Sequence, residues 1–278
     1  MTQSEFKDKF IAFVDVLGFK KLVEAAEDGT GMPLDKLLKV LESLGKPGEE
    51  HRFRKHGPSI CPESAYLQRD LDFRLTQISD CAIVSSEISS SGVINLISYC
   101  WEVVISLLQN GIMCRGYITR GSIFHTDTQV IGTGYQKAYE NEGRVAAFKR
   151  EADERGTPFV EVDPVVCDYV KRCEDSCVRD MFSRLVRSDG EFVVLFPFQR
   201  LAHSFVIAGF GQRFNPEREK KSNQNVRVII ESLKERVMAF VDKSNPGAVR
   251  KAEHYIQALN AQLAVCDRTD EIIGLLSS

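Results

Sequence analysis

Two aspartates stand where a carboxylate is costly unless something answers its charge. Asp15 comes near the end of FIAFVDVLGF, a run of apolar, aromatic and branched residues that suits a central strand buried on both faces. Asp80 follows Ser79 in LDFRLTQISDCAIVSSE, whose alternation predicts a hairpin with these two residues in its tight turn. Carboxylates at such positions have to be hydrogen-bonded, paired or metal-bound. If the hairpin lies beside the strand, the two acids form a clamp for divalent cations. Magnesium and manganese prefer oxygen ligands and hold phosphates, and two such ions about 3.5–4 Å apart stabilise both the attacking and the leaving oxygen at phosphorus. That chemistry is phosphoryl transfer. Each acid alone also reads as a turn former after a strand, so the pair carries the case. Arg115, in IMCRGYITRGSIF, adds a guanidinium that forks onto phosphate oxygens, its plainer role being a surface ion pair.

Other chemistries have less support. The histidines at 51, 56, 125, 203 and 254 lack HxxxH spacing, which argues against histidine-led metal or triad sites. The cysteine cluster Cys167, Cys173 and Cys177 has no CxxC pair, and all eight cysteines of the chain read as reduced core residues. Gly132, Thr133 and Gly134 open a helix without a nucleotide fingerprint around them. Tyr66, Tyr117, Tyr135 and Phe53 fit core positions better than a lid over a base.

The 278 residues, 43% hydrophobic and 27% charged, suffice for one catalytic domain with an appendage. A net charge of -3 offers no basic footprint for nucleic acid. No run reaches the roughly 18 uncharged apolar residues of a membrane span, and MTQSEFKDKF lacks the apolar core of a signal peptide. The expectation is a soluble, cytoplasmic chain without direct membrane contact.

The acids need elements to hold them. Lys20 to Leu44 carries apolar residues at helical spacing interrupted by DGTGMP, and a polar stretch over about 45–70 reads as an insertion. GVINLISYCWEVVISLLQNG predicts a helix stopped by Gly111, followed by the strand IMCRGYITRGSIF. GYQKAYENEGRVAAFKREADE predicts another helix and TPFVEVDP a strand. The order β-α-β-β-α-β points to a ferredoxin-like, split β-α-β sheet of the α+β class with helices on one face. Beyond residue 163 the pattern is mainly helical, with a strand at EFVVLFPF and an antiparallel helical pair split by NPG.

These residues together resemble the class III nucleotide cyclases, in particular the pyrimidine cyclases of bacterial Pycsar antiphage defence. FVDVLGFKKLVE resembles the family's first-strand signature, and ISDCAIVSSE its Gly-Asp hairpin with Ser79 in place of glycine. CRGYITRGSIF resembles the Arg-x-Gly-Ile strand and VIGTGYQKAYENE the Gly-x-x-Val-Asn-x-Ala helix start, so that the likeness covers about residues 8–162. It implies that Asp15 and Asp80 bind two Mn2+ or Mg2+ ions, with the carbonyl of Val16 a further metal ligand. The amides around Gly18 and Phe19 would hold phosphate. The base-reading lysine falls on Thr76 and its partner acid on Gln129, so neither purine contact is present. The transition-state asparagine falls on Gln136. The arginine four residues later falls on Glu140, leaving Arg115, Lys137 or Arg144 to supply the cation.

The implied architecture is a split β-α-β cyclase domain over 1–162 and a mainly helical extension over 163–278 packed on it. The implied activity converts UTP, in preference to CTP, into a 3′,5′-cyclic monophosphate and pyrophosphate. The product would act on a separate cyclic-nucleotide-binding effector in antiviral defence. The implied assembly is a homodimer with shared active sites, in which Gln136 and Arg144 reach the partner's substrate. The alternatives are a purine cyclase and a catalytically silent nucleotide-sensing module, the latter suggested by Glu140.

Overall fold

The computed structural model describes residues 4–45, 70–201 and 214–277. Nearly all of the expected insertion, with His51, Phe53, His56, Cys61 and Tyr66, lies outside the described residues, as does His203. The chain forms two compact units, Met1–Phe196 and Pro197–Ser278.

The first unit is built around β1 (Lys7–Val16), whose central residues Phe10 to Val14 are all buried. After β1 come α1 (Phe19–Glu27), α2 (Leu34–Leu41), the hairpin β2 (Arg74–Ile78) and β3 (Cys81–Glu87), α3 (Ser90–Leu108) and β4 (Cys114–His125). β1 pairs antiparallel with both β3 and β4, and β2 pairs with β3. The order β2-β3-β1-β4 is the ferredoxin-like arrangement expected from the sequence. Beyond β4 the sheet continues through β6 (Val160–Val162), β8 (Val193–Leu195) and β7 (Val186–Ser188), while the short β5 (Val130–Ile131) pairs with the end of β4. The boundary expected at 162/163 therefore falls inside this unit, because β6 has its next partner in β8.

Alternation along β1 splits the core between two faces. Phe10, Ala12 and Val14 join Val93, Ile97 and Cys100 of α3 in the larger cluster. α3 is long and apolar enough to cross a membrane by length and composition, yet most of its residues are buried within the first unit. Ser89 caps it, accepting from the Gly92 amide at 2.9 Å. On the opposite face Ile11, Phe13, Ile83 and Ile123 pack with Ala138 of α4 (Thr133–Glu142). Helices thus cover both faces, a correction to the one-sided layout. The helix expected over 134–154 ends at Glu142, because Thr157 turns the following segment back, donating from Oγ1 to the Ala147 carbonyl at 2.8 Å and from its amide to the Val145 carbonyl at 3.1 Å. α5 (Pro164–Lys171) and α6 (Ser176–Leu185) follow.

Ions staple the open end of the β2–β3 hairpin. The Lys9 ammonium, only 4% exposed, lies 2.8 Å from Asp72 Oδ1, and the Asp72 amide donates to Glu87 Oε2 at 3.0 Å. In the second unit α7 (Pro216–Phe240) and α8 (Pro246–Ser277) form the expected antiparallel pair, joined where Asn223 Nδ2 donates to the Cys266 carbonyl at 2.8 Å and to Asp270 Oδ1 at 2.7 Å. Among the described residues six cysteines are free thiols, but Cys177 is disulfide-bonded, which corrects the fully reduced reading.

α4 sits very close to β4. A Cβ on Gly134 would meet the Gly121 carbonyl carbon at 2.9 Å, and one on Gly121 would meet the Gly134 Cα at 2.8 Å. Gly134→Val is therefore expected to lower unfolding stability by about 1–3 kcal/mol through overpacking. Exposed Glu140→Ala on the same helix should stay within about 0.5 kcal/mol. Urea denaturation of the two variants checks the contrast.

Candidate active site

Asp15 is the penultimate residue of β1, with Cys81 on β3 and Arg115 on β4 as its register partners. Ser79 and Asp80 make the two-residue turn between β2 and β3, and Ser79 takes φ +54, the left-handed conformation that glycine adopts without cost. The Val16 amide donates to the Asp80 carbonyl at 3.1 Å, and the Leu17 amide to the Met113 carbonyl at 2.9 Å. The first bond sets the hairpin turn against the end of β1, and the second ties the following residue to the approach to β4. The chain then turns at Gly18, φ +75, straight into α1. The first-turn N–H groups of a helix have no helical acceptor and attract anions, and here they begin just beyond Asp15, at the turn into α1.

The electrostatics mark this corner. Burial, then the charges of Glu142 and Asp80, push the Asp15 carboxyl from its ordinary 3.8 up to about 7, while Arg115 and the Val16 amide pull it down. Burial, then Asp15 and Asp80, push the Cys81 thiol up to about 11.

Glu142 is a site residue that none of the sequence motifs marks. It ends the row Gly134, Ala138, Glu142 that α4 buries toward the sheet, and that spacing of four is the signal that could flag it. Arg115 Nε donates to Glu142 Oε1 at 2.5 Å, and its Nη1 donates to the Gly156 carbonyl at 3.4 Å. The guanidinium expected on phosphate is thus held by Glu142 within the chain. Gln136 and Arg144 are exposed and lie off the buried row of α4. Lys137 pairs with Asp163 at 2.6 Å. Tyr135 and Tyr139 pack around Phe13, with ring centroids 6.3 and 5.3 Å from it.

Thr76 is hydrogen-bonded to His125, a histidine that metal-ligand spacing does not mark, and Gln129 stands next to that histidine's strand partner. Thr76 lies opposite Ile83, and Ile83 opposite Phe13, so Thr76 shares the sheet face of Asp15. Strand spacing and rise place it about 12 Å from Asp15. That is about the reach of a nucleotide from its phosphates to the far edge of its base. Thr76 Oγ1 is hydrogen-bonded to His125 Nε2 at 2.9 Å, and Ser85 Oγ to His125 Nδ1 at 2.8 Å. Gln129 immediately precedes Val130, the register partner of His125, and its carbonyl accepts from the Thr126 amide at 2.9 Å. Burial chiefly, with Lys9 and Arg74, lowers the His125 ring to about 4, so it is neutral at physiological pH.

No protein-family model and no curated protein matches the chain. Solved structures do. The catalytic core of a rhodopsin-guanylyl cyclase with converted specificity, in complex with ATPαS, aligns over 69% of this chain and 96% of its own, at 11% identity and a TM-score of 0.38. A bacterial light-regulated adenylyl cyclase aligns over 84% of this chain and 59% of its own, at 12% identity and a TM-score of 0.41.

The carboxylate pair suits a divalent cation, because the strain that burial and the charge of Asp80 place on ionised Asp15 is relieved by positive charge between the two acids. Among the described residues no group of three or more His, Cys, Asp or Glu side chains could hold a metal. A shell completed by backbone carbonyl, water and phosphate oxygens matches the habit of magnesium.

The raised Asp15 carboxyl has a consequence for stability. Between about pH 4 and pH 7 the folded chain keeps a proton that the unfolded chain releases, so stability without metal falls as pH rises through that window. Asp15→Asn should therefore stabilise the metal-free protein at pH 8 by about 1–2 kcal/mol, partial exposure discounted, and by nothing below pH 4. Thermal melts across pH check this, and added Mn2+ should raise the wild-type midpoint more than that of the variant.

Proposed function

We propose that the chain is a metal-dependent nucleotide cyclase that converts UTP, in preference to CTP, into the 3′,5′-cyclic monophosphate and pyrophosphate. The observation that carries the reading is Asp15 and Asp80 brought to one corner beside the start of α1, where Arg115 acts on Asp15 and is itself engaged by Glu142. Asp15, Asp80 and the Val16 carbonyl would hold Mn2+ or Mg2+, which when bound lowers the pKa of the ribose 3′-hydroxyl and neutralises the triphosphate. The amides around Gly18 and Phe19 hold phosphate oxygens at the positive end of α1. Arg115 offsets the charge of Glu142 beside the acids. Thr76 and Gln129 face the base, and the absence of lysine and acid there favours a pyrimidine. The product serves as a second messenger for a separate effector in cytoplasmic antiviral defence, a role supported by the Pycsar resemblance.

Gln136 and Arg144, exposed on and just after α4, complete the site of a second copy, so the active form is a homodimer with two shared sites. The engagement of Arg115 by Glu142 also favours a second reading, a silent nucleotide sensor.

Incubation with Mn2+ and each of the four nucleoside triphosphates separates the readings: cUMP is expected, a purine product moves the base assignment, and binding without product makes the chain a sensor. Asp15→Ala and Asp80→Ala should each abolish product while the fold persists; turnover in both variants removes the two-metal assignment. Mixing an Asp15→Ala, Asp80→Ala chain with a Gln136→Ala, Arg144→Ala chain should restore up to about a quarter of wild-type activity, since about half the chains pair unlike and each mixed dimer regains one site. Light scattering that finds a fully active monomer contradicts the dimer.

A further inference from the structure

We propose that His125 determines base specificity by fixing the direction of the Thr76 hydroxyl, so that Thr76 donates to a carbonyl oxygen of the base. This rests on the cyclase reading only for the location of the base. The direction follows from the hydrogen bonds themselves. Ser85 is fully buried, and its hydroxyl bonds the His125 ring at Nδ1. Were Nδ1 to carry the ring proton, the Ser85 oxygen would accept it and leave its own O–H buried with nothing to bond, which costs about tenfold or more in equilibrium terms. The Ser85 O–H therefore donates to Nδ1. A neutral imidazole then carries its proton on Nε2, and burial keeps this ring neutral. Nε2–H donates to Thr76 Oγ1, across 2.9 Å. With one lone pair engaged in this way, Thr76 has its hydroxyl proton left to donate to another acceptor.

The relay from Ser85 through His125 to Thr76 ends in a donor. A donor at this point pairs with the 4-carbonyl oxygen of uracil and meets a second donor in the 4-amino group of cytosine. Thr76 alone, with a freely turning hydroxyl, would accept from one base as readily as it donates to the other. The histidine converts an ambivalent group into a one-way reader. The Gln129 side chain stands one residue from the strand partner of His125, and an amide there can adapt to either base, so discrimination falls to the relay.

The test separates the relay from catalysis. The 15N chemical shifts of the His125 ring in the nucleotide-free protein are expected to report the Nε2–H tautomer; the Nδ1–H tautomer overturns the proposal. Binding of 3′-deoxy-UTP and 3′-deoxy-CTP, which lack the hydroxyl that cyclisation needs, is then measured by calorimetry with Mn2+. The wild-type chain should prefer the uracil nucleotide about tenfold, the equivalent of one hydrogen bond. Thr76→Val, which conserves shape, and His125→Ala should bring the ratio to about one. His125→Gln, whose amide can still donate to Thr76, should keep most of the preference. A wild-type ratio near one, or a ratio unchanged in Thr76→Val, overturns the proposal whether or not the His125 variants fold. If the tautomer and ratios hold while ordinary UTP gives no cyclic product, the cyclase reading fails and the relay stands as the selectivity device of a nucleotide sensor.

Discussion

The charges of two further carboxylates, Glu142 and Asp80, bear on Asp15 at the end of β1, and the Arg115 guanidinium opposes them there. Unlike charges in a partly dry corner attract strongly, but the pull of Arg115 on Asp15 is outweighed by burial and by the two neighbouring acids. The fold accepts this cost because its parts hold the acids in place. β1 is paired on both sides, the Val16–Asp80 bond fixes the turn, and the glycine contact between α4 and β4 brings Glu142 within reach of Arg115. A corner of this kind has an unmet need for positive charge, which is what recommends it for metal and triphosphate.

Much of this is legible in the residues. Asp15 at the end of a doubly buried strand and Asp80 in a tight turn are strand-period and turn-chemistry signals, and both lie where that logic puts them. The α3 helix and the final helical pair follow from long runs at helical period. What the residues conceal has a tertiary cause. The helix after Gly132 stops at Glu142 because Thr157, fifteen positions on, draws the chain back through hydrogen bonds that no local pattern announces. β7 has three residues, only one of them shielded, too little for a period to show. The family likeness points to Glu140, whereas a step of four from Ala138 puts Glu142 on the buried side. His125 has no second histidine at metal spacing; its partners are hydroxyls on two other strands, brought together by pairing registers.

The corner at Asp15 and the hydrogen-bonded cluster at Thr76 are governed by different physics. Around Asp15 the field of charges dominates, and small changes in solvation move protonation. Around Thr76 the groups are neutral and directional, so geometry and tautomer decide which hydrogen bonds form. The sheet keeps both on one face, with the apolar row of Ile11, Phe13 and Ile83 covered by α4 beside them.

The hairpin architecture also divides the acid pair between segments of unequal local stability. Asp15 belongs to a strand with neighbours on both sides, whose amides would be among the last to exchange with solvent. Asp80 belongs to a turn whose outer strand, β2, has β3 as its only sheet partner among the described residues. Partial opening of that edge would part the two carboxylates while the core remained folded. A cation bridging them would close the turn onto β1, so that occupancy of the site and order of the sheet edge would rise and fall together.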